Sequence, residues 1–489
     1  MGRQHEMAIP FDNTYAQLPE VFFSKGKPAT VPKPEWVRVN VELASELGID
    51  PEWLSSEAGL GILSGNEFAD GSEPLSQAYA GHQFGGWVPQ LGDGRAILLG
   101  EVVDGSGIRR DIQLKGSGRT PYSRGGDGKS PLGPVLREYI VSEAMAALGV
   151  PTTRALAAVS TGEPVYREEA LPGGVFTRVA SSHLRVGTFQ YFYARNDRES
   201  LQALADYAIA RHDPSAAKSD EPILSFLEGV VERQARLIAH WMSLGFIHGV
   251  MNTDNMTVSG ETIDFGPCAF QDGFHPERVF SSIDRQGRYA WINQPAAGQW
   301  NLARLAESLL PLLPGEEKEN VSAVEQALTG FGNQFRQAYF SRFRAKLGIR
   351  ESGEKSEDFV EKTLGMLGEE ETDFTIFFRD LTRSADGSCA SPESLFSDIE
   401  MFTRWKEEWD EVLGETGPDV SVMKRSNPVR IPRNHRVEQA IDSAQGGDLQ
   451  PFHDLVDALV HPYDEDASLT KYEESPKAAE RVTKTFCGT

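Results

Sequence analysis

The chain has 489 residues, 39% hydrophobic and 25% charged, the balance of a soluble globular protein long enough for about two to four domains or lobes. Its 72 acidic against 48 basic side chains give a formal net charge of −24, which repels phosphate backbones and argues against a nucleic-acid partner. No run of 18 apolar residues exists to cross a membrane, and the opening MGRQHEMAIPFDNTY lacks the apolar stretch of a secretion signal. Three scattered cysteines, Cys268, Cys389 and Cys487, fit neither a disulfide scaffold nor a zinc site, so a reducing, cytoplasmic setting is expected.

Residues 1–75 mix short helical patterns with Pro- and Gly-rich loops and are expected to form an N-terminal extension packed onto the rest. From 76 to 192 the pattern is strand-like and broken by glycine. GWVPQLGDGRAILLGEV predicts two strands joined by a turn at Gly92-Asp93-Gly94. RRDIQLKG predicts another, with Ile112 and Leu114 on one face and Asp111, Gln113 and Lys115 on the other. The glycine-rich GSGRTPYSRGGDGKSPLGP then leads into a helix from Pro134 to Leu148, with Gly149 as its stop. Two further strands are expected around AAVSTGEPVYRE and GGVFTRVAS.

Residues 193–489 are mainly helical in pattern. ILSFLEGVVERQARLIAHWMSLG places Leu227, Val230, Val231, Ile238, Trp241 and Met242 on one helical face. WNLARLAESLLPLL, ESLFSDIEMFTRWKEEWDEVL and QPFHDLVDALV behave alike. The order predicts an α+β fold, a small mainly β lobe followed by a large mainly α lobe.

Several side chains suit nucleotide chemistry. Lys115 on a strand and Glu138 early in the next helix can form a pair that holds an ammonium against ATP phosphates. Glu143 competes for that role but points about 140° away from Glu138 around the helix. Gly92, Gly94 and Arg95 form a turn with exposed N–H groups beside a guanidinium, and Asp127 and Gly128 sit in a second glycine-rich loop. Arg178 and Arg185 have the planar fork that grips phosphate oxygens. Each of these also has a plain structural explanation. HGVMNTDNMTVSGETIDFGP, residues 248–267, makes the set specific: His248, Asn255 and the Asp264 of Asp-Phe-Gly follow in the order that protein kinases use for metal and nucleotide. Where a kinase places its catalytic aspartate, this chain has Val250.

FDNTYAQLP, QAYAGHQFGGWVPQLGDGRAILLGE, QLKGSGRTPYSRGGDGKSPLGPVLREY, FTRVASSHLRVGTF, HGVMNTDNM, IDFGPCAF, WNLARLAESLLPLL and NPVRIPRNH together resemble the selenoprotein O family, the bacterial YdiU-type proteins. The resemblance runs through most of the chain. It implies a protein-kinase-like fold that lacks the usual catalytic aspartate and moves AMP from ATP onto Ser, Thr or Tyr hydroxyls of other proteins. Some members also accept UTP with manganese. ATP lies flipped relative to kinases, so its α-phosphate faces the acceptor. On the family's pattern Lys115, Arg178 and Arg185 bind phosphates, Glu138 pairs with the lysine, and Gly92, Gly94, Arg95, Asp127 and Gly128 belong to the nucleotide loops. Asn255 and Asp264 match the ligands of Mg²⁺ or Mn²⁺, and Asp254 matches the proton acceptor, with orienting a water or a second ion beside the metal as the alternative. Cys268 and Cys487 are implied as a redox pair, with two separate thiols as the alternative; Gly488 and Thr489 depart from the serine usual after that cysteine. The expected partners are ATP and protein substrates, with no nucleic acid and no membrane, and the expected state is a monomer. An ordinary kinase and a non-catalytic nucleotide-binding scaffold are the competing readings.

Overall fold

A computed structural model describes residues 9–389 and 391–486. The glycine-punctuated first part folds into one antiparallel sheet: β1 (Phe23–Lys25), β2 (Glu35–Val39), β3 (Leu75–Gln77), β6 (Ala96–Val103), β7 (Arg109–Lys115), β8 (Ser130–Pro131), β9 (Arg154–Tyr166) and β10 (Ala170–Ala180). Its order is β1-β3-β6-β7-β10-β9-β2, with β8 beside β10. The stretch before residue 76 therefore supplies β1 and β2 to the sheet itself. Two more strands, β4 (Gly81–Gln83) and β5 (Gly86–Val88), pair only with each other.

That pairing corrects one expectation. Residues 89–95 do not close a hairpin, because β5 pairs with β4 while β6 pairs with β3 and β7. A turn-rich sequence between two strand-like runs shows where the chain bends. Which edge each strand joins is decided by distant residues.

Strand alternation sorts side chains between two layers. Leu99 and Val102 of β6, Ile112 and Leu114 of β7, and Val175 and Val179 of β10 pack on α1 (Val41–Glu46), α2 (Pro51–Leu54) and α3 (Glu57–Leu63). Ala155, Ala158 and Phe176 face the other way, onto α4 (Leu132–Ala147). Helix α4 begins two residues earlier than its sequence pattern suggests, directly after Pro131, and ends at Ala147 with Gly149 beyond it at φ +77°.

The remainder is mainly helical, apart from a short antiparallel pair of Phe246–Ile247 with Ala269–Phe270: α5 (Val186–Tyr193), α6 (Arg198–His212), α7 (Pro222–Ser243), α8 (Gln294–Leu309), α9 (Glu317–Lys346), α10 (Glu354–Glu369), α11 (Phe374–Ala385), α12 (Ile399–Leu413) and α13 (Val420–Ser426). The apolar face expected on α7 is buried in full, Leu227, Val230, Val231, Ile238, Trp241 and Met242 all lying in the largest core cluster. Each such side chain contributes roughly 1.5–3 kcal/mol of burial free energy. The last two helices, α14 (Asn434–Gln445) and α15 (Gln450–Leu459), return to the sheet and cover the outer side of α4. That is why α4 is buried nearly all round.

A buried charged cluster ties β6 and β7 to α6. Arg211 donates to Glu101 and, at 2.5 Å, to Asp111; Asp111 also accepts from the His183 backbone N–H at 2.9 Å and contacts its Nδ1 at 2.8 Å. Burial first of all pushes His183 down to about 4 and its neighbour His212 down to about 3. Both are therefore neutral when folded at pH 5.5, whereas in the unfolded chain they titrate near 6.5. Unfolding in this window takes up protons, so their contribution is complete above about pH 6.5 and is lost as pH falls towards the folded values. Asp93 and Asp254, raised by burial to about 6, work in the opposite direction but more weakly here. The expected net result is a protein about 1–3 kcal/mol less stable at pH 5.5 than at pH 7. Thermal unfolding at the two pH values checks this; an equal or higher Tm at pH 5.5 would contradict neutral burial of these histidines.

Candidate active site

The sheet and the loop after α7 enclose a cleft of about 760 Å³. It is lined by Gly92, Gly94, Arg95, Lys115, Asp127, Gly128, Glu138, Arg178, Arg185, Asp254, Asn255 and Asp264. Twelve positions singled out in the sequence, spread over more than 170 residues of chain, thus meet around one space.

Its centre is Asp264. Its backbone is left-handed (φ +64°), which an aspartate tolerates better than most residues, and Phe265 beside it is buried as an anchor. Lys115, at the end of β7, donates from Nζ to Asp264 Oδ1 and to Glu138 Oε1, both at 2.6 Å. Arg178 of β10 donates to Asp264 Oδ1 at 2.8 Å and to Gln113 Oε1 at 2.6 Å. Arg185, in extended backbone just before α5, donates to Asp264 Oδ2 at 2.8 Å and to the Asp254 carbonyl at 2.6 Å. Burial alone would raise the Asp264 pKa, but Lys115, Arg178 and Arg185 together hold it well below the usual carboxylate range. Three cations thus converge on one carboxylate, with Glu138 2.6 Å from Lys115 and Asp93 3.9 Å from Arg185 sharing their charge, a cluster able to turn part of its hydrogen bonding to a phosphate.

The rival glutamate is engaged elsewhere. Glu143 accepts from Arg154 at 2.9 and 2.8 Å and from the Ala155 N–H at 2.8 Å, on the far side of α4. His248 is fully buried; its Nε2 lies 2.9 Å from the Ile263 carbonyl and its Nδ1 3.4 Å from the Val250 N–H. It thereby braces the loop that carries Asp254 and Asn255, and Val250 lines the cleft as an apolar wall.

Asp254 is buried, with Oδ2 receiving Gln83 Nε2 at 3.3 Å and Oδ1 without a hydrogen-bond partner among the described residues. Burial pushes it up to about 6 against the pull of Arg185. Asn255 donates from Nδ2 to the Val250 carbonyl at 3.0 Å, which leaves its Oδ1 as an available acceptor. Among the described residues no three His, Cys, Asp or Glu side chains form a ready-made metal cluster. A carboxylate offers about four acceptor sites, of which three are taken on Asp264. One remains, which together with Asn255 Oδ1 gives two hard oxygen donors. That donor set fits a Mg²⁺-type ion whose other ligands are phosphates and water.

The glycines have a structural cause as well. At Gly92 (φ +81°) a Cβ would lie 2.4 Å from the ring of Tyr122, and at Gly94 2.8 Å from the Tyr122 carbonyl. A Cβ on Gly128 (φ +69°) would sit 2.0 Å from the Gly118 carbonyl. Gly92→Ala should therefore cost about 2–4 kcal/mol, from left-handed backbone plus overpacking. Chemical denaturation measures this; a loss below about 0.5 kcal/mol would show that the loop adapts freely. Asp127 lies at the cleft mouth, accepting from Arg167 at 2.9 and 3.2 Å and from the Lys129 N–H at 3.0 Å.

Sequence reasoning passed over Asp93 and Gln113. Asp93 is buried and accepts from the Gln77 N–H at 3.0 Å and Gln113 Nε2 at 3.1 Å, with Arg185 3.9 Å away. Alternation along β7 did carry the signal for Gln113, which shares the face of Lys115. Nothing local marked Asp93. Of the two cysteines implied as a redox pair, Cys268 is buried, donates to the Phe265 carbonyl at 3.1 Å and is pushed up to about 12 by burial. Cys487 lies outside the described residues. The chain just before it runs close by: Thr485 Oγ1 donates to the Pro267 carbonyl at 2.5 Å.

No helix among the described residues is long and apolar enough to cross a membrane. A family model described as protein adenylyltransferase SelO matches residues 5–460. Proteins called protein nucleotidyltransferase YdiU are similar over nearly the whole length. That of Nitrobacter winogradskyi is 54% identical over 487 residues, covering 98% of this chain and 96% of the relative. That of Methylorubrum populi is 55% identical over 494 residues, covering 98% and 99%. That of Rhizobium etli is 53% identical over 489 residues, covering 99% and 98%. With a cleft that gathers three cations around a carboxylate with one acceptor site left, and likeness of this extent, the chain belongs to the SelO family of protein adenylyltransferases.

Proposed function

We propose that this protein transfers AMP from ATP to Ser, Thr or Tyr hydroxyls of other proteins and releases pyrophosphate. The observation that carries this reading is the convergence of Lys115, Arg178 and Arg185 on Asp264, in a cleft where Val250 stands in place of a kinase base. In this reading residues 76–192, joined by strands β1 and β2 of the N-terminal extension 1–75, and residues 193–489 are the two lobes of a protein-kinase-like fold. The protein works as a cytoplasmic monomer, in keeping with its sparse cysteines and strong negative charge.

Lys115, Arg178 and Arg185 shift part of their hydrogen bonding from Asp264 to the triphosphate, which replaces one anion with a larger one. Glu138 keeps Lys115 aimed while this happens. Gly92, Gly94, Arg95, Asp127 and Gly128 enclose the rest of the nucleotide. Asn255 and Asp264 would hold Mg²⁺ or Mn²⁺, which supplies charge neutralisation for the leaving pyrophosphate. The acceptor oxygen bonds to the α-phosphorus as the bond from that phosphorus to the bridging oxygen breaks. The hydroxyl proton passes to Asp254, whose Oδ1 has no hydrogen-bond partner among the described residues. A base at position 250 is not needed, because positioning and charge stabilisation supply most of the rate.

Parallel incubations with α-labelled and γ-labelled ATP test the reaction type. Label should stay on protein from α-ATP alone. Retention only from γ-ATP would make the protein a kinase, and no covalent label with ATP still bound would make it a scaffold.

A further inference from the structure

We propose that the β4–β5 hairpin and the loop 283–288 form the docking rim for the acceptor protein, favouring a hydroxyl flanked by an apolar side chain and by carboxylates. This rests on the adenylyl-transfer reading above. The hairpin is fastened to the loop that carries Asp254. His82 donates its backbone N–H to Thr253 Oγ1 at 2.7 Å, and Phe84 donates its own to Asn252 Oδ1 at 2.9 Å. Tyr289 donates its hydroxyl to the same Asn252 oxygen at 2.8 Å, so the second loop is tied to that point too.

The turn holds Phe84 (φ +51°) and Gly85 (φ +82°) in left-handed backbone, a conformation that favours asparagine or glycine. A phenylalanine there keeps an aromatic ring at the cleft mouth, 5.2 Å from the Tyr289 ring and still 36% exposed. Ile283, 56% exposed, lines the same cleft. Large apolar side chains exposed beside a reaction centre fit a partner's apolar residue.

Charge selects the rest of the partner. Arg288 lies over the Trp300 ring at 5.0 Å, and Arg285 is exposed. Neither has a carboxylate within ion-pair distance among the described residues. The loop's own carboxylate, Asp284, is turned inward to the N–H groups of Arg288 and Tyr289, at 3.0 and 2.8 Å. On a chain of net charge −24, guanidinium groups without acidic partners among the described residues, on the loop whose Ile283 lines the cleft, complement an acidic segment.

The test compares two synthetic serine peptides, one with Leu, Asp and Glu around the hydroxyl and one with Ser and Lys, using the full chain and ATP. Phe84→Gly removes the ring and suits the turn better than the native residue, and Arg285→Glu reverses an exposed charge. Wild type should prefer the acidic peptide. Each variant should raise its KM about tenfold while kcat and the ATP-induced thermal shift hold. Unchanged KM in both variants, no preference between peptides, or a loss of ATP binding in both variants would overturn the docking rim. A wild-type protein that binds ATP but labels no acceptor would instead overturn adenylyl transfer itself.

Discussion

Asp264→Ala is expected to reduce AMP transfer by at least about 10³-fold, because it removes both the proposed metal ligand and the acceptor around which Lys115, Arg178 and Arg185 are arranged. The same change should lower stability. Breaking a buried ion pair from one side costs about 3–5 kcal/mol; since the Asp264 side chain is 21% exposed, water softens the loss to about 2–3 kcal/mol. Arg178 would then lose its carboxylate partner, while Lys115 keeps Glu138 and Arg185 keeps Asp93 at 3.9 Å, and a triphosphate would restore the missing charge. ATP without divalent metal should therefore raise the Tm of the variant more than that of the wild type. Activity assays with differential scanning fluorimetry, with and without Mg²⁺, read both effects. A variant that keeps its Tm and shows no metal-independent ATP shift would mean that Asp264 does not balance the site.

Asp254→Asn is expected to lower kcat for transfer about 10²–10⁴-fold while nucleotide binding persists, because the amide keeps the shape and loses the proton acceptor. The buried position of Asp254 and an Oδ1 without a partner among the described residues are the reasons to assign it this work. Its neighbour Gln83 holds only the other oxygen. Steady-state transfer to an acceptor protein, with ATP affinity measured separately, distinguishes a chemical role from a binding one. A kcat within about threefold of wild type would remove Asp254 from the proton transfer.

The candidate site was legible in the sequence to the extent that its residues lie in local patterns. Strand alternation put Lys115 and Gln113 on one face of β7, and helix periodicity separated Glu138 from Glu143, so only one of them could meet the lysine. Spacing from His248 to Asn255 and Asp264 marked the loop. What the pattern could not carry was long-range pairing. The connection at residues 89–95 reads as a hairpin until Tyr122, almost thirty residues on, is seen packed against Gly92. The return of α14 and α15 onto α4 is likewise invisible locally, since an amphipathic helix announces an apolar face but not what will cover it. Asp93 escaped notice for the same reason, its partners coming from β3, β7 and the start of α5.

Intact-protein mass spectrometry after incubation with ATP, Mg²⁺ or Mn²⁺ and an acceptor protein tests the central claim most directly. A gain of one adenylate per modified hydroxyl, absent with Asp264→Ala, is the result this account predicts. A gain of one phosphate, or an adenylate gain that survives loss of Asp264 undiminished, would contradict it.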